Sequence, residues 1–149
     1  MKKVFIGCDH AALDMKNEIA QYLEIKGYSV CDEGTYTNNS VDYPEYAEKV
    51  ANAVKNTQGS LGILICGTGI GMSLAANKVK GIRAAAVSEV YSAKLTRQHN
   101  DANIVCIGAR VIGIETAKMI VDAFLETEFE GGRHKTRVDM ITAIEGKNK

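Results

Sequence analysis

Short apolar runs alternate with amphipathic stretches from one end of the chain to the other. Val4–Cys8 is a run of strand length and predicts the first strand. Ala12 to Lys26 then places Met15, Ile19, Tyr22 and Leu23 on one face of a helix, which Gly27 ends. Tyr28–Cys31 is a second short strand. Asp32 to Asp42 is polar and turn-rich and reads as a loop. The only proline, Pro44, fits the first turn of the next helix, where its missing N–H costs little. Tyr43, Tyr46, Ala47, Val50, Ala53 and Val54 form the apolar stripe of that helix.

Leu61–Ile65 is apolar at every position except Gly62, the pattern of a strand covered on both faces. It ends at Cys66 and a glycine-rich turn, and Met72 to Val79 follows as a helix. Ile82–Val87 predicts a fourth strand. A helix opens at Ser88-Glu89 and continues to about His99, with Tyr91 and Leu95 inward. Ile104–Ile107 is the fifth strand, and Gly113 to Leu125 a long helix carrying Ile114, Ala117, Ile120, Val121 and Phe124. Glu126 to His134, with Gly131-Gly132, reads as a flexible connection. Thr136 to Glu145 is a final short helix.

Strands separated by helix-length segments imply parallel β-α-β units. The expected architecture is a three-layer α/β/α sandwich around a Rossmann-like five-stranded parallel sheet, with an extra C-terminal helix. A chain of 149 residues suits one domain, 1–149. In such folds ligands bind beyond the carboxyl ends of the strands. Asp9-His10, Cys66-Gly67-Thr68, Ser88 and Arg110 all fall just after predicted strands.

Composition narrows the classes of function. The hydrophobic fraction is 46%, the charged fraction 24%, and the formal net charge zero. A neutral chain is not a general binder of nucleic acid or anionic membranes. No apolar run approaches the ~18 residues of a membrane span. The basic start Met1-Lys2-Lys3 before Val4–Cys8 is signal-like, but Asp9-His10 interrupts the run too early. The four cysteines, Cys8, Cys31, Cys66 and Cys106, include no CxxC pair, and three of them close apolar runs. Reduced thiols at strand ends and a cytoplasmic location follow.

Cys66 has two readings. A free cysteine is commonly a small buried apolar residue. Here, however, it stands at a strand-to-helix junction, where thiols ionise most readily. Gly67-Thr68-Gly69-Ile70-Gly71 is not a P-loop, since no Lys-Ser/Thr follows. Nor is it GxGxxG, since Leu74 stands where the third glycine would be. Its alternating glycines suit a cradle of amide N–H groups for an oxyanion. The three histidines, His10, His99 and His134, lie outside the apolar stripes. No pair of them has short metal-ligand spacing, which argues against zinc and leaves acid–base work or anion contact. Arg133 and Arg137 share a face if the last helix starts there, and two guanidiniums can hold a phosphate. A solvated basic turn is the plainer alternative, as it is for Arg110.

Four segments together carry a resemblance. GCDHAA (residues 7–12), ILICGTGIGMSLAANK (63–78), LTRQHNDAN (95–103) and EGGRHKTRV (130–138) resemble the type B ribose-5-phosphate isomerases. That superfamily also holds allose-6-phosphate and galactose-6-phosphate isomerases. The resemblance spans nearly the whole chain. It implies interconversion of D-ribose 5-phosphate and D-ribulose 5-phosphate through an enediolate, with no metal and no organic cofactor. It implies that Cys66 moves the proton between C2 and C1 and that the amides of Gly67, Thr68, Gly69, Ile70 and Gly71 stabilise the enediolate. His99 would be the ring-opening acid, with Thr68 and Asp9 nearby. His10, Arg133 and Arg137 would bind the phosphate end, and Asn100 and Arg110 would line the site. Family members form homodimers, sometimes tetramers, whose site draws on both subunits. Relatives without the cysteine use a carboxylate, so Cys66 belongs to the cysteine-using branch.

Three other readings compete on the residues alone. A six-carbon sugar phosphate is the nearest alternative substrate. A flavodoxin-like nucleotide- or flavin-binding module would leave Cys66 and the arginine pair unexplained. A thiol redox sensor built on Cys66 would have no isomerase activity.

Overall fold

The computed structural model describes residues 2–148; Met1 of the basic start and Lys149 lie outside them. The strands are β1 (Lys3–Cys8), β2 (Ser29–Asp32), β3 (Leu61–Cys66), β4 (Ala84–Ala86) and β5 (Ile104–Gly108). They form one parallel sheet in the order β2-β1-β3-β5-β4. Every residue of β3 and β5 is buried, because helices cover both faces at the centre of the sheet.

On one face lie α1 (Leu13–Ile25), α4 (Val90–Asn100) and α5 (Ile114–Glu126). Their buried residues Ile19, Leu23, Ala93, Ala117, Ile120 and Phe124 pack on Ile6, Ile63, Ile65, Val105 and Ile107. On the other lie α2 (Tyr43–Lys55) and α3 (Ile70–Ala76), where Ala47, Val50, Val54, Met72 and Ala76 meet Phe5, Leu64, Ile104 and Cys106. α6 (Arg133–Lys147) packs against α4. The chain leaves β1 toward the first face and β3 toward the second. The cleft between those neighbouring strands is therefore the switch point where such sheets bind ligands. No helix among the described residues is long and apolar enough to cross a membrane.

Four expected elements differ from the sequence reading. The fourth strand is Ala84–Ala86 rather than Ile82–Val87. Ile82 is buried, but its N–H closes a turn on Val79, and Arg83 N–H goes to the Asn103 side chain rather than to a ladder partner. The helix expected at Met72 to Val79 begins earlier, at Ile70, because Gly69 caps it at φ 83°. It ends at Ala76, since the Asn77 side chain turns aside to hold both backbone groups of Ala84. The last helix starts at Arg133, not Thr136, and continues to Lys147. The connection before it is not loose. Glu130 N–H donates to Gln98 O at 3.1 Å, and Arg97 Nε donates to Thr127 O at 3.2 Å.

One close approach fixes the loop after β3. A Cβ at Gly108 would lie 2.7 Å from Thr68 Cα, and one at Gly69 would lie 2.9 Å from the Ile107 carbonyl carbon. Both obstacles are backbone, so neither can swing aside. Gly108→Ala should cost about 1–3 kcal/mol of stability by forcing that backbone apart. Urea denaturation with an unchanged m-value checks this, and a midpoint equal to the parent's would contradict it.

Candidate active site

Two groups of functional side chains form, at opposite ends of the sheet. The first sits at the carboxyl ends of β1 and β3. Cys66 is the last residue of β3, and its Sγ accepts the Gly69 N–H at 3.1 Å. Ile70 N–H is taken by Thr68 Oγ1 at 3.2 Å. Two of the five expected cradle residues therefore direct their N–H groups within the loop itself. The N–H groups of Gly67 and Thr68 make no hydrogen bond among the described residues and remain free for an oxyanion. Ala109 N–H and Arg110 N–H donate to the carbonyls of Cys66 and Gly67, clamping the turn to the end of β5. The Arg110 guanidinium lies over Gly67, within 3.4 Å of where a Cβ would stand. Tyr43 covers Gly71 in the same way, at 2.7 Å.

Asp9 and His10 adjoin this loop across the switch point, with Asp9 N–H bonded to Ile65 O. Asp9 is buried, and its Oδ1 accepts Ala11 N–H at 3.0 Å, so the carboxylate is held in place. His10 Nδ1 accepts Val41 N–H at 3.1 Å. That bond leaves the proton on Nε2, which makes the outward nitrogen a donor. The loop carrying Val41 is tethered from beneath. Lys16 is 1% exposed and pairs with Asp32 at 2.5 Å, and Asp32 Oδ1 accepts Gly34 N–H at 2.8 Å. Nothing in the sequence pattern marked Lys16, which sits among polar residues of an amphipathic helix.

The second group lies where α4 ends. Only three residues separate Asn100 from Ile104, which pairs beside Gly62 at the start of β3. Cys66 is four residues further along that strand, about 13 Å at ~3.3 Å per residue. His99 and Asn100 are thus at the other end of the sheet from Cys66 in the same chain. Arg133 and Arg137 occupy the first two turns of α6 at i, i+4 spacing, both exposed. Between them His134 turns inward and stacks on His99, with ring centroids 4.1 Å apart and planes at 10°. Its pKa is lowered from the ordinary imidazole value, first by burial and then by His99 and Arg133. Sequence spacing argued against zinc because the histidines are far apart along the chain. Folding removes that premise by bringing His99, Glu130 and His134 together. The heptad-like position of His134, four residues before the buried Val138, was the one available signal of its burial.

The four thiols are free and differ in surroundings. Burial pushes Cys8 up to about 12 and Cys106 higher still. The sulfur of Cys66, by contrast, has an amide donor aimed at it.

A cysteine beneath an amide-bearing loop at the switch point of a doubly wound sheet, with His10 and Arg110 beside it, is the site of an α/β enzyme suited to a small anionic substrate. The chain belongs to the Ribose/Galactose Isomerase family, whose model matches residues 4–141. It is 55% identical over 145 residues to ribose-5-phosphate isomerase B of Escherichia coli strain K12, covering 97% of each chain. Its structure superposes on that of Clostridium thermocellum ribose-5-phosphate isomerase B with a TM-score of 0.97, 53% identity and 99% coverage of both chains. The Mycoplasma genitalium ribose-5-phosphate isomerase B, solved with bound ribulose-5-phosphate, matches at a TM-score of 0.93 and 44% identity, covering 98% of this chain and 97% of that one.

The contrast among the thiols is measurable. Iodoacetamide at pH 8 should alkylate Cys66 well before Cys8 or Cys106, read by peptide mass spectrometry. Equal labelling rates at the three would contradict the environments described.

Proposed function

We infer that the chain interconverts D-ribose 5-phosphate and D-ribulose 5-phosphate through an enediolate, at a site completed by a second copy of the chain. The Cys66 sulfur beside a loop with free N–H groups carries the reading, because an aldose–ketose exchange needs a base and an oxyanion cradle side by side. The substrate is supplied by the relatives: the Escherichia coli protein is a ribose-5-phosphate isomerase, and the Mycoplasma genitalium structure holds the product ketose. All four cysteines are free, which suits the reducing cytoplasm.

Ribose 5-phosphate is mostly a closed furanose. His99 gives a proton to the ring oxygen as its bond to C1 breaks and the C1 hydroxyl gives up its proton to water, leaving the aldehyde, while Asp9 and Thr68 orient the freed hydroxyl. The Cys66 thiolate then takes the proton from C2 and returns it to C1, and the proton of the C2 hydroxyl passes to the C1 oxygen. Negative charge builds on the carbonyl oxygen between those events. The N–H groups of Gly67 and Thr68 stabilise it, while Gly69 N–H holds the sulfur. The Arg110 guanidinium over the loop adds positive charge to the same region. At the far end of the substrate, Arg133, Arg137 and the donating Nε2 of His10 hold the phosphate. Anchoring the phosphate fixes C1–C2 against the base.

The separation of the two groups supports the need for a second copy. In one chain His99, Asn100, Arg133 and Arg137 lie at the opposite end of the sheet from Cys66. A twofold assembly places the histidine end of each copy against the cysteine end of the other and completes two sites at once. Ile70 and Leu74, 56% and 63% exposed, flank the cysteine loop and offer apolar surface for that contact.

Cys66→Ala should abolish isomerisation, at least about 1,000-fold in kcat, while leaving fold and phosphate affinity in place, because only the proton-transfer base is lost. Steady-state turnover of ribose 5-phosphate checks it. Substantial residual rate, or turnover of allose 6-phosphate with none of the pentose by the parent enzyme, would contradict the reading. His99→Asn should reduce turnover of ribose 5-phosphate far more than that of erythrose 4-phosphate, which has no ring to open. Equal losses on the two would contradict the assignment of His99.

A further inference from the structure

We propose that His99, Glu130 and His134 form a binding site for a zinc-class divalent cation, and that a cation seated there blocks the ring-opening step. The site itself rests on geometry; the blocking rests on the role of His99 in the reaction above.

One ligand atom from each of the three side chains lies within 4.8 Å of the other two. His99 Nε2 is 3.9 Å and His134 Nε2 3.4 Å from the same oxygen, Glu130 Oε1. Neither distance is a good hydrogen bond, so three ligand atoms face one point without satisfying one another. Zinc bonds nitrogen and carboxylate oxygen at about 2.0–2.2 Å, which sets tetrahedral ligand atoms roughly 3.3 Å apart. Reaching that spacing takes a contraction of the cluster and a turn of one imidazole out of the stack.

The parts able to make this movement are the side chains. Glu130 N–H is bonded to Gln98 O, so the backbone beneath Glu130 is fixed to the end of α4. The Glu130 side chain is half-exposed and can swing toward the histidines. His134 is buried with its ring packed flat on His99, so the more exposed His99 ring must turn out of the stack for both Nε2 atoms to aim at one ion. Glu130 offsets part of the cation's charge, and Arg133 and Arg137 oppose it. Two nitrogens and one oxygen are borderline ligands that suit zinc and its neighbours rather than magnesium or calcium. The fourth position is left to water.

Occupancy would consume the lone pair on His99 Nε2. That imidazole could then no longer carry a proton to the ring oxygen. Cys66 is not one of the three ligands, so the proton transfer between C2 and C1 keeps its base and the effect falls on ring opening.

The test uses the full-length protein freed of metal with EDTA and titrated with zinc chloride by calorimetry. One zinc should bind per chain. Glu130→Gln, at an exposed position, should weaken binding about tenfold or more, and His134→Ala should do the same. Cys66→Ser should leave it unchanged, which separates the cluster from thiol binding. Absence of binding, or binding lost in Cys66→Ser and kept in Glu130→Gln, overturns the site. In the activity arm, zinc should inhibit turnover of ribose 5-phosphate, reversibly with EDTA, and inhibit Glu130→Gln less relative to its own zinc-free rate. Erythrose 4-phosphate turnover should be largely spared, and equal inhibition of both substrates overturns the blocking mechanism. The calorimetric result stands whatever the enzyme does, so a zinc-free protein inactive on the pentose would refute the functional reading without touching the metal site.

Discussion

The loop after β3 lies against β5 with no room for a side chain between them. Gly69 and Gly108 are the two positions that permit this, each within 3 Å of backbone if a Cβ were added. The contact turns the chain back sharply enough for Gly69 N–H to reach the sulfur of Cys66. It also frees the N–H groups of Gly67 and Thr68 and seats Arg110 over them. The cysteine sulfur, the free N–H groups and the guanidinium are thus brought together by one steric condition between two strands. Most of the flanking sheet is buried aliphatic packing on both faces, which resists small shifts of Cys66.

The parallel sheet has a second consequence. A crossover helix must begin at the carboxyl end of one strand and finish at the amino end of the next. α4 does so, and its last turn carries His99 and Asn100 away from the cysteine loop. α6 starts beside that last turn, and so its arginines and His134 are at the same remote end. A lone chain of this topology holds Cys66 and its loop apart from His99, Asn100, Arg133 and Arg137. In the proposed reading a second copy brings the two groups together without any change of fold. The same placement puts two imidazoles and a carboxylate together.

Much of this was legible in the sequence. The five strands and six helices follow from apolar runs and amphipathic stripes, and the all-buried β3 follows from LGILIC. Boundaries shifted where side chains act on backbone: Asn77 ends α3 to hold Ala84, and Gly131-Gly132 turn the chain directly into α6. Local spacing located the cysteine loop because all its parts lie within six residues. It could not show the pairing of His99 with His134, which depends on α4 and α6 meeting. Nor could it show the buried Lys16–Asp32 pair beneath the loop that steers His10. Arg133 and Arg137 share a face because α6 starts at Arg133, three residues before the start read from the sequence pattern.

The central claim is that one site is built from the cysteine end of one copy and the histidine end of another. Mixing two inactive variants, Cys66→Ala and His99→Asn, and allowing subunit exchange tests it directly. In a hybrid dimer both lesions fall in one site and the other site is intact. Random exchange should therefore restore roughly a quarter of the parent activity. A mixture that stays inactive after verified subunit exchange would place both residues in the same site of a single chain and contradict the account.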